Sequence, residues 1–298
     1  MAGELIALIP DGRAAPLLHG AKRLSAGGWQ AILAPRAPFA AFGRRGAARA
    51  ARRRLECLEA LLAAECVLPA LPGTYLSDAD VAPTLEIAAP ELDSLAQRYG
   101  TGVQYQLTVR CNPSDALAHF SSRSGPLGRP TDEAALRTSL HSFARCALDG
   151  LVRDLVCLPV DGDCILNAVL LTARGSDLEL DAALARIDSV WTDGLRLRVV
   201  GPTPPLSFCS LGLQDIAPAR LEAAARLLGV APNAEAATIL RARKQALIRQ
   251  VSAPDEVREA ATLLVKACRH PAAGRGFRDM FAWQEGRSVP AGALKGAA

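Results

Sequence analysis

The chain has 298 residues, of which 34 are Lys or Arg and 30 are Asp or Glu, so its net charge is +4. This near balance argues against nucleic acid or an anionic membrane as the main partner, because both attract strongly basic surfaces. Half of the residues are hydrophobic, but no apolar run approaches the roughly 20 residues that a membrane-spanning helix needs.

The N-terminus and the cysteines favour a cytoplasmic location. The first residues, MAGELIALIPDGR, include Glu4 and lack the basic leader of a secretory signal. None of the eight cysteines forms a Cys-x-x-Cys pair, and most lie within apolar segments. Reduced thiols that fill a core have this distribution, so the cysteines are predicted to be structural and unpaired.

Residues 1–100 predict an N-terminal α+β domain. Its predicted elements are strands over 5–10 and 28–35, a helix over 47–64, an extended segment over 67–76 and a helix over about 84–99. The two strands are expected to pair in one sheet, because a polar, Gly-rich loop separates them. Leu55, Leu58, Leu61 and Leu62 recur at helical spacing and predict the buried side of the first helix.

The first helix also carries the strongest local charge of the chain. Its arginines are Arg44, Arg45, Arg49, Arg52, Arg53 and Arg54. Guanidinium groups match planar carboxylates better than ammonium groups do, so one interpretation is a docking patch for an acidic partner or a phosphate. The alternative is the solvated side of an amphipathic helix that binds nothing. On the docking interpretation, the predicted partner contacts are Arg45, Arg49, Arg52 and Arg53.

Residues 101–208 predict a ferredoxin-like domain with the order βαββαβ. The predicted elements are strands over 103–110, 154–160, 164–172 and from 195 onward, and helices over 131–153 and 178–191. Thr131 is the expected N-cap of the longer helix. An Asp-Gly turn at 161–163 predicts a hairpin. Together these elements make a four-stranded antiparallel sheet with both helices on one face.

Residues 209–298 predict a helical extension with a flexible tail. The predicted helices cover 219–229, 233–250 and 254–270. Asn233 is the expected N-cap of the second helix. Near the end, FRDMFAW would place Phe277, Met280 and Phe281 on one helical face, which predicts a short helix that docks onto a partner or folds back onto the body.

The chain shows no motif for catalysis or for a cofactor. It lacks a P-loop, GxGxxG, GxSxG and HExxH, and its four histidines have neither ligand nor triad spacing. The sequence therefore predicts a non-enzymatic protein with no cofactor and no metal. A ferredoxin-like sheet can also bind RNA through aromatic residues on its two central strands. Here those strands offer only Tyr105, so RNA is not expected.

The segment LRLRVVGPTPPLSF (195–208) carries a resemblance to a known family. Its charged strand runs into Gly-Pro-x-Pro-Pro-x-x-Phe, which resembles the closing strand of the gas vesicle protein F/L family, where Gly-Pro-Trp-Pro-Pro-Tyr-x-Phe is usual. The matching residues are Gly201, Pro202, Pro204, Pro205 and Phe208. Thr203 and Leu206 replace the aromatic residues. CILNAVLLT and LECLEALLAAECVLPALPGTYLSD resemble two further family segments, so the resemblance covers about residues 4–208.

The prolines of this segment also have a physical interpretation. Proline fixes φ and donates no ladder hydrogen bond, so the strand is expected to stop at Gly201 and the chain to leave the sheet in polyproline-like form. Such a stiff exit would hold the next segment against the body. The other interpretation is a recognition surface, on which the five matching residues would contact a partner.

The resemblance implies a minor protein of gas vesicles, the hollow protein shells that give buoyancy to some aquatic microbes. Family members have an N-terminal α+β domain and a ferredoxin-like domain, and they are thought to contact the small, very hydrophobic main shell protein during vesicle nucleation or assembly. The implied partners are that protein and other gas vesicle accessory proteins, with no nucleic acid and no membrane. The implied location is the gas vesicle, and the cytoplasm before assembly.

Two other classes of function stay open at this point. The first is an adaptor or scaffold that binds another acidic partner through the ferredoxin-like domain and the arginine cluster. The second is an enzyme with an unrecognised site. The extension adds a further expectation, because residues 226–247 faintly resemble the first two helices of a J-domain. QVSAPDE stands where the His-Pro-Asp signature would be, so packing or docking without co-chaperone activity is expected.

Overall fold

The computed structural model describes residues 2–35, 43–121, 127–269 and 277–284. Three antiparallel sheets and eight α-helices make up this part of the chain. The α+β fold class predicted from the sequence is confirmed. The domain boundaries expected near residues 100 and 208 stay predictions.

The N-terminal region is a sheet covered on both sides by helices. Its elements are β1 (Ala2–Pro10), β2 (Lys22–Ala26), β3 (Trp29–Pro35), α1 (Arg44–Leu61), β4 (Leu68–Pro69), β5 (Tyr75–Ser77) and α2 (Asp78–Leu95). The strand order is β2-β3-β1-β4, and β5 also pairs with β1. Leu5 lies opposite Leu33, so the predicted pairing of the first two apolar strands is confirmed.

The strand β1 is apolar from Leu5 to Ile9 because both of its sides are buried there. Leu5 and Leu8 join the cluster that contains α2, whereas Ile6 and Ile9 join the cluster that contains α1.

Two predictions for this region were wrong. The strand β2 was missed, and α2 begins at Asp78 rather than near residue 84. The early start follows from capping, since the Ser77 hydroxyl accepts a hydrogen bond from the Asp80 N–H at 3.3 Å.

The middle of the chain has the predicted βαββαβ order. Its elements are β6 (Gly102–Arg110), α3 (Pro113–Ser121), α4 (Glu133–Leu148), β7 (Val152–Cys157), β8 (Cys164–Ala173), α5 (Asp177–Asp188) and β9 (Arg196–Thr203). The strand order β7-β8-β6-β9 is that of a ferredoxin-like sheet. Apolar residues of β6 and β8 form one core cluster with α4 and α5.

The bounds of α4 differ from the prediction at both ends. Asp132, and not Thr131, is the N-cap, and its carboxylate accepts a hydrogen bond from the Ala135 N–H at 2.8 Å. The helix ends at Leu148 instead of continuing to residue 153. Gly150 explains this end, because its positive φ of 77° reverses the chain into β7.

The region after residue 208 is not only helical, which corrects the prediction. Its elements are β10 (Ser210–Ile216), α6 (Pro218–Leu228), α7 (Ala236–Arg249), α8 (Pro254–Cys268) and β11 (Phe277–Trp283). FRDMFAW is therefore the strand β11 and not a helix. It pairs along its whole length with β10, from Ile216 opposite Phe277 to Ser210 opposite Trp283. Tertiary pairing overrides local propensity here.

The three helices enclose a core of their own. The buried residues of α6, α7 and α8 form one cluster that also includes Ile216 and Phe277. The predicted start of α7 was wrong, since the helix begins at Ala236 and Glu235 is at the cap position, where Asn233 was expected to lie. The predicted C-cap of α6 is confirmed, because Gly229 ends that helix with a left-handed φ of 66°.

Charged contacts fix this helical unit to the rest of the protein. Arg278 donates from Nε to Asp215 at 2.9 Å and from Nη1 to Asp80 of α2 at 3.3 Å. The buried Lys266 ammonium donates to the Asp279 carboxylate at 2.9 Å. The sheet of β10 and β11 thus lies between α2 and the helices that follow it in the chain.

The cysteines partly follow the prediction. All eight are free thiols, and Cys57, Cys111, Cys164 and Cys209 are buried. Burial raises the pKa of the Cys209 thiol to about 12, so that thiol stays protonated and inert near neutral pH. The expectation that most cysteines are core residues fails for three of them, which are exposed at 146, 157 and 268.

Candidate partner-binding surfaces

The helix α1 has one buried and one charged side. Its buried side holds Cys57, Leu58 and Leu61, which pack against the apolar residues of β1. The other side forms what we call the arginine surface. It consists of the exposed residues Arg44, Arg45, Arg49, Arg52 and Arg53. Packing of the opposite side holds this helix in place, so the charges are displayed on a fixed support.

Among the described residues, most of the arginine surface has no counter-charge. Arg52 donates to Glu56 at 2.9 Å, and Glu56 also lies 2.8 Å from His19. The hydrogen bond from Arg52, and then the one from His19, lower the pKa of Glu56. Within the described part of the chain, Arg45, Arg49 and Arg53 form no ion pair. These side chains are available to carboxylates of another molecule.

Arg54 does not belong to this surface, which corrects its placement in the sequence cluster. Only 9% of the residue is exposed. Its guanidinium donates to the Glu4 carboxylate at 2.8 Å and to the backbone carbonyls of Leu5, Ile6 and Ala70. Burial lowers the pKa of Arg54, and the charge of Glu4 opposes that shift. The residue ties α1 to the end of β4 through β1.

The proline segment, residues 201–208, does not end the strand where the sequence suggested. The ladder of β9 continues beyond Gly201, since Thr203 still lies opposite Gln104 of β6. Only after Thr203 does the chain leave the sheet. The expected stop at Gly201 was therefore wrong. Proline tolerates this position because β9 is the last strand of its sheet and needs no donor on its outer edge.

The second half of the proline segment is interior. Pro204 and Pro205 are buried, and Phe208 is 2% exposed. Phe208 belongs to the core cluster that contains Leu8 of β1 and Leu171 of β8. These three residues join the N-terminal sheet to the ferredoxin-like sheet. Of the five motif residues predicted to contact a partner, Gly201 and Pro202 are the exposed ones.

Gly201 is required by close packing, which gives a first testable prediction. Its φ is +140°, and a Cβ there would lie 2.7 Å from the Gln104 carbonyl oxygen and 2.8 Å from the Tyr105 ring. We expect Gly201→Ala to lower the free energy of unfolding by about 2–4 kcal/mol, because backbone strain and overpacking add. Urea unfolding measures this.

A matched control separates the clash from the loss of glycine freedom. Gly162 also has a positive φ, +54°, but a Cβ at that position meets nothing within 4 Å. Gly162→Ala should therefore cost only about 1 kcal/mol, from backbone strain alone. Equal losses in the two variants would contradict the close-packing explanation.

Sequence reasoning missed an open part of the ferredoxin-like sheet. Arg198 lies opposite Thr108, and Val200 lies opposite Gln106, so these side chains share one face. That face is opposite the helices, and the Gln106 amide there donates to Asn167 at 2.9 Å. Arg198 and Val200 are exposed. The alternation in LRLRVV indicated a charged face with Arg198, but the exposure of Val200 on that face was not predicted.

The described residues offer no obvious metal site. They contain no group of three or more His, Cys, Asp or Glu side chains arranged to hold an ion. In the same residues, no helix combines the length and the apolar composition that crossing a membrane requires.

Comparison with known proteins identifies relatives for part of the chain. Residues 134–210, from α4 to the start of β10, match the family model "Gas vesicle synthesis protein GvpL/GvpF". No curated protein matches the chain. The resemblance to the gas vesicle protein F/L family that the sequence indicated is confirmed.

Two solved structures share the fold. The gas vesicle protein GvpF from Anabaena is 17% identical with a TM-score of 0.53, and the match covers 69% of this chain and 94% of that one. GvpF from Microcystis aeruginosa is 16% identical with a TM-score of 0.53, covering 68% and 97%. In each comparison, about a third of this chain thus lies outside the matched region.

Proposed function

We propose that this chain, a member of the gas vesicle GvpL/GvpF family, acts in vesicle assembly by binding the main gas vesicle shell protein. Membership in this family supports the more general statement that the chain has a role related to gas vesicle assembly and associates with gas vesicles. The proposed action is non-enzymatic. The proposed partners are the main shell protein and other gas vesicle accessory proteins.

The observation that supports this proposal is the arginine surface. Arg45, Arg49 and Arg53 are exposed on one helix and lack ion-pair partners in the described residues. An arrangement of this kind costs stability through mutual repulsion unless another molecule supplies negative charge. Carboxylates of a partner would relieve that repulsion, and planar guanidinium groups would orient them.

Charge reversal tests the role of this surface. We expect Arg49→Glu combined with Arg53→Glu to reduce capture of the co-expressed main shell protein by about tenfold or more, which corresponds to about 1.4 kcal/mol of lost binding. Both residues are exposed, so thermal unfolding should stay unchanged. A quantitative pull-down from co-expressing cells provides the measurement.

The matched control carries the same change in net charge elsewhere. Arg145 on α4 and Arg226 on α6 are also exposed, and the double variant Arg145→Glu, Arg226→Glu should capture the shell protein as the unmodified chain does. If the unmodified chain captures no shell protein when both proteins are folded, the proposal is wrong. Capture of another acidic gas vesicle protein through the same arginines would favour the adaptor function instead.

A further inference from the structure

The helix α7 exposes apolar residues on the side that faces away from its own core. Ile239 and Ala246 are buried against α8. Leu240 and Ile248, by contrast, are 46% and 72% exposed. They are eight residues apart with Lys244 midway, which places all three on one side of the helix over about 12 Å. These two side chains leave apolar area in contact with water, which a partner would remove from water.

Arg241 and Lys244 lie on this same side of α7, and Arg243 and Arg249 lie on its flanks. The helix contains Arg241, Arg243, Lys244 and Arg249 and has no Asp or Glu between Ala236 and Arg249. All four cations are exposed, and none of them forms an ion pair within the described ranges. A partner for this surface, the α7 face, must therefore combine apolar groups with carboxylates.

The helix α5 of the ferredoxin-like domain has the opposite character. Leu178 is 81% exposed, the most exposed large apolar residue of the described chain. Ala182 and Ala185 follow it at helical spacing and are also exposed. Glu179 and Asp181 flank this stripe, and Arg186 on the same side donates to the Ala147 carbonyl at 2.6 Å. We call this surface the α5 face.

The buried side of α5 lies opposite that stripe. Leu180, Ala183 and Ile187 pack into the core of the ferredoxin-like domain. The buried side of α7 packs into a different core, that of the helical unit. Both faces are exposed in the same molecule, so they do not cover each other within one chain.

We propose that the α7 face of one copy of this chain packs on the α5 face of a second copy. Each face has an exposed apolar stripe about 10–12 Å long, and their charges are opposite. Because every copy of the chain carries both faces, two copies supply both surfaces of this contact. An anionic lipid surface or a nucleic acid would attract the α7 face but would repel Glu179 and Asp181 and leave Leu178 uncovered.

This contact is head to tail. Since two different faces meet, a pair of bound copies still has one free α5 face and one free α7 face, so the interaction closes into a ring or continues as a chain of copies. Two short helices bury less area than a stable dimer does, so the association is expected in the micromolar range or weaker. It should also weaken at high salt, because exposed charges contribute to it. The inference does not depend on binding of the shell protein.

Two variants that each lack one face provide the test. Lys244→Glu with Ile248→Glu removes the α7 face, and Leu178→Lys with Asp181→Lys removes the α5 face. All four positions are exposed, so both variants should unfold at the temperature of the unmodified chain. Sedimentation velocity over micromolar to millimolar concentrations measures the assembly of the full chain.

The head-to-tail arrangement predicts a specific pattern. The unmodified chain should increase in mass with concentration, and each variant should stay monomeric. An equimolar mixture of the two variants should form dimers and nothing larger, because it retains one intact α5 face and one intact α7 face. A control variant, Arg226→Glu, should assemble as the unmodified chain does.

Three outcomes would overturn the proposal. One is a monomeric unmodified chain at millimolar concentration. Another is undiminished assembly of either variant. The third is a mixture of variants that remains monomeric. Binding of α7 to vesicles of anionic lipid without any self-association would give the first outcome and would assign the α7 face to a lipid surface.

Discussion

Replacing Arg54 with methionine should lower the free energy of unfolding by about 3–5 kcal/mol, the cost of removing one partner of a buried ion pair. Methionine keeps most of the length of the side chain, so the packing volume changes little. The Glu4 carboxylate would lose its cation and retain the Gly73 N–H at 3.2 Å. The carbonyls of Leu5, Ile6 and Ala70 would lose a shared donor.

The neighbouring arginine is the matched control. Arg53 is exposed, so Arg53→Met should change stability by no more than about 0.5 kcal/mol. Chemical denaturation of both variants, at constant m-value, makes the comparison. The double variant Glu4→Gln, Arg54→Met should recover part of the loss, because it no longer buries an unpaired charge. Equal stability of the two single variants would show that the Arg54 ion pair does not hold α1 on the sheet.

Phe208→Ala should have an effect of similar size, with a loss of about 3–5 kcal/mol. The ring fills the core between the N-terminal sheet and the ferredoxin-like sheet, and alanine would leave a cavity there. Since the cavity lies between two sheets, thermal unfolding should also broaden or split into two transitions as the sheets uncouple. Differential scanning calorimetry measures both effects.

Two further substitutions make this result interpretable. Val200→Ala alters an exposed residue just before the same segment and should cost about 0.5 kcal/mol or less. Phe208→Leu keeps most of the volume and should restore more than half of the stability lost in the alanine variant. A single sharp transition and a loss below about 1 kcal/mol would contradict a joining role for this ring.

The parts of the fold that the sequence predicted are those with strong local patterns. The alternating strand at 103–110 and the Asp-Gly turn at 161–163 sufficed to indicate the ferredoxin-like sheet, because period and turn chemistry agree there. The leucine spacing of α1 located its helix, but assigned Leu55 to the buried side, where it is 39% exposed. Arg54 occupies a buried position instead.

Arg54 shows why the candidate surface could be predicted only in part. Six arginines within eleven residues look alike as charges, and their number says nothing about which one has a buried partner. The spacing of Arg54 to Leu58 and Leu61, four and seven residues, was the available signal. The partner itself, Glu4, lies fifty residues away, and only the folded chain brings the two together.

The strands β10 and β11 could not be recognised for a related reason. FRDMFAW has apolar residues at both helical and alternating spacing, so its pattern does not decide between helix and strand. Pairing with β10 across three intervening helices decides it. The burial of Pro204, Pro205 and Phe208 is likewise a tertiary result, since a motif shared by relatives is compatible with either an interior joint or an exposed surface.

The pairing of β10 with β11 has a consequence for the order in which the protein forms. The strand β10 is synthesised before the three helices, so its ladder partner does not yet exist when it leaves the ribosome. It has another anchor in the meantime, because the Leu71 N–H donates to the Leu211 carbonyl at 2.7 Å beside β4. The strand β10 can thus pack beside β4 before β11 is synthesised. When β11 is synthesised and pairs with β10, the two strands join the ends of the segment that contains α6, α7 and α8.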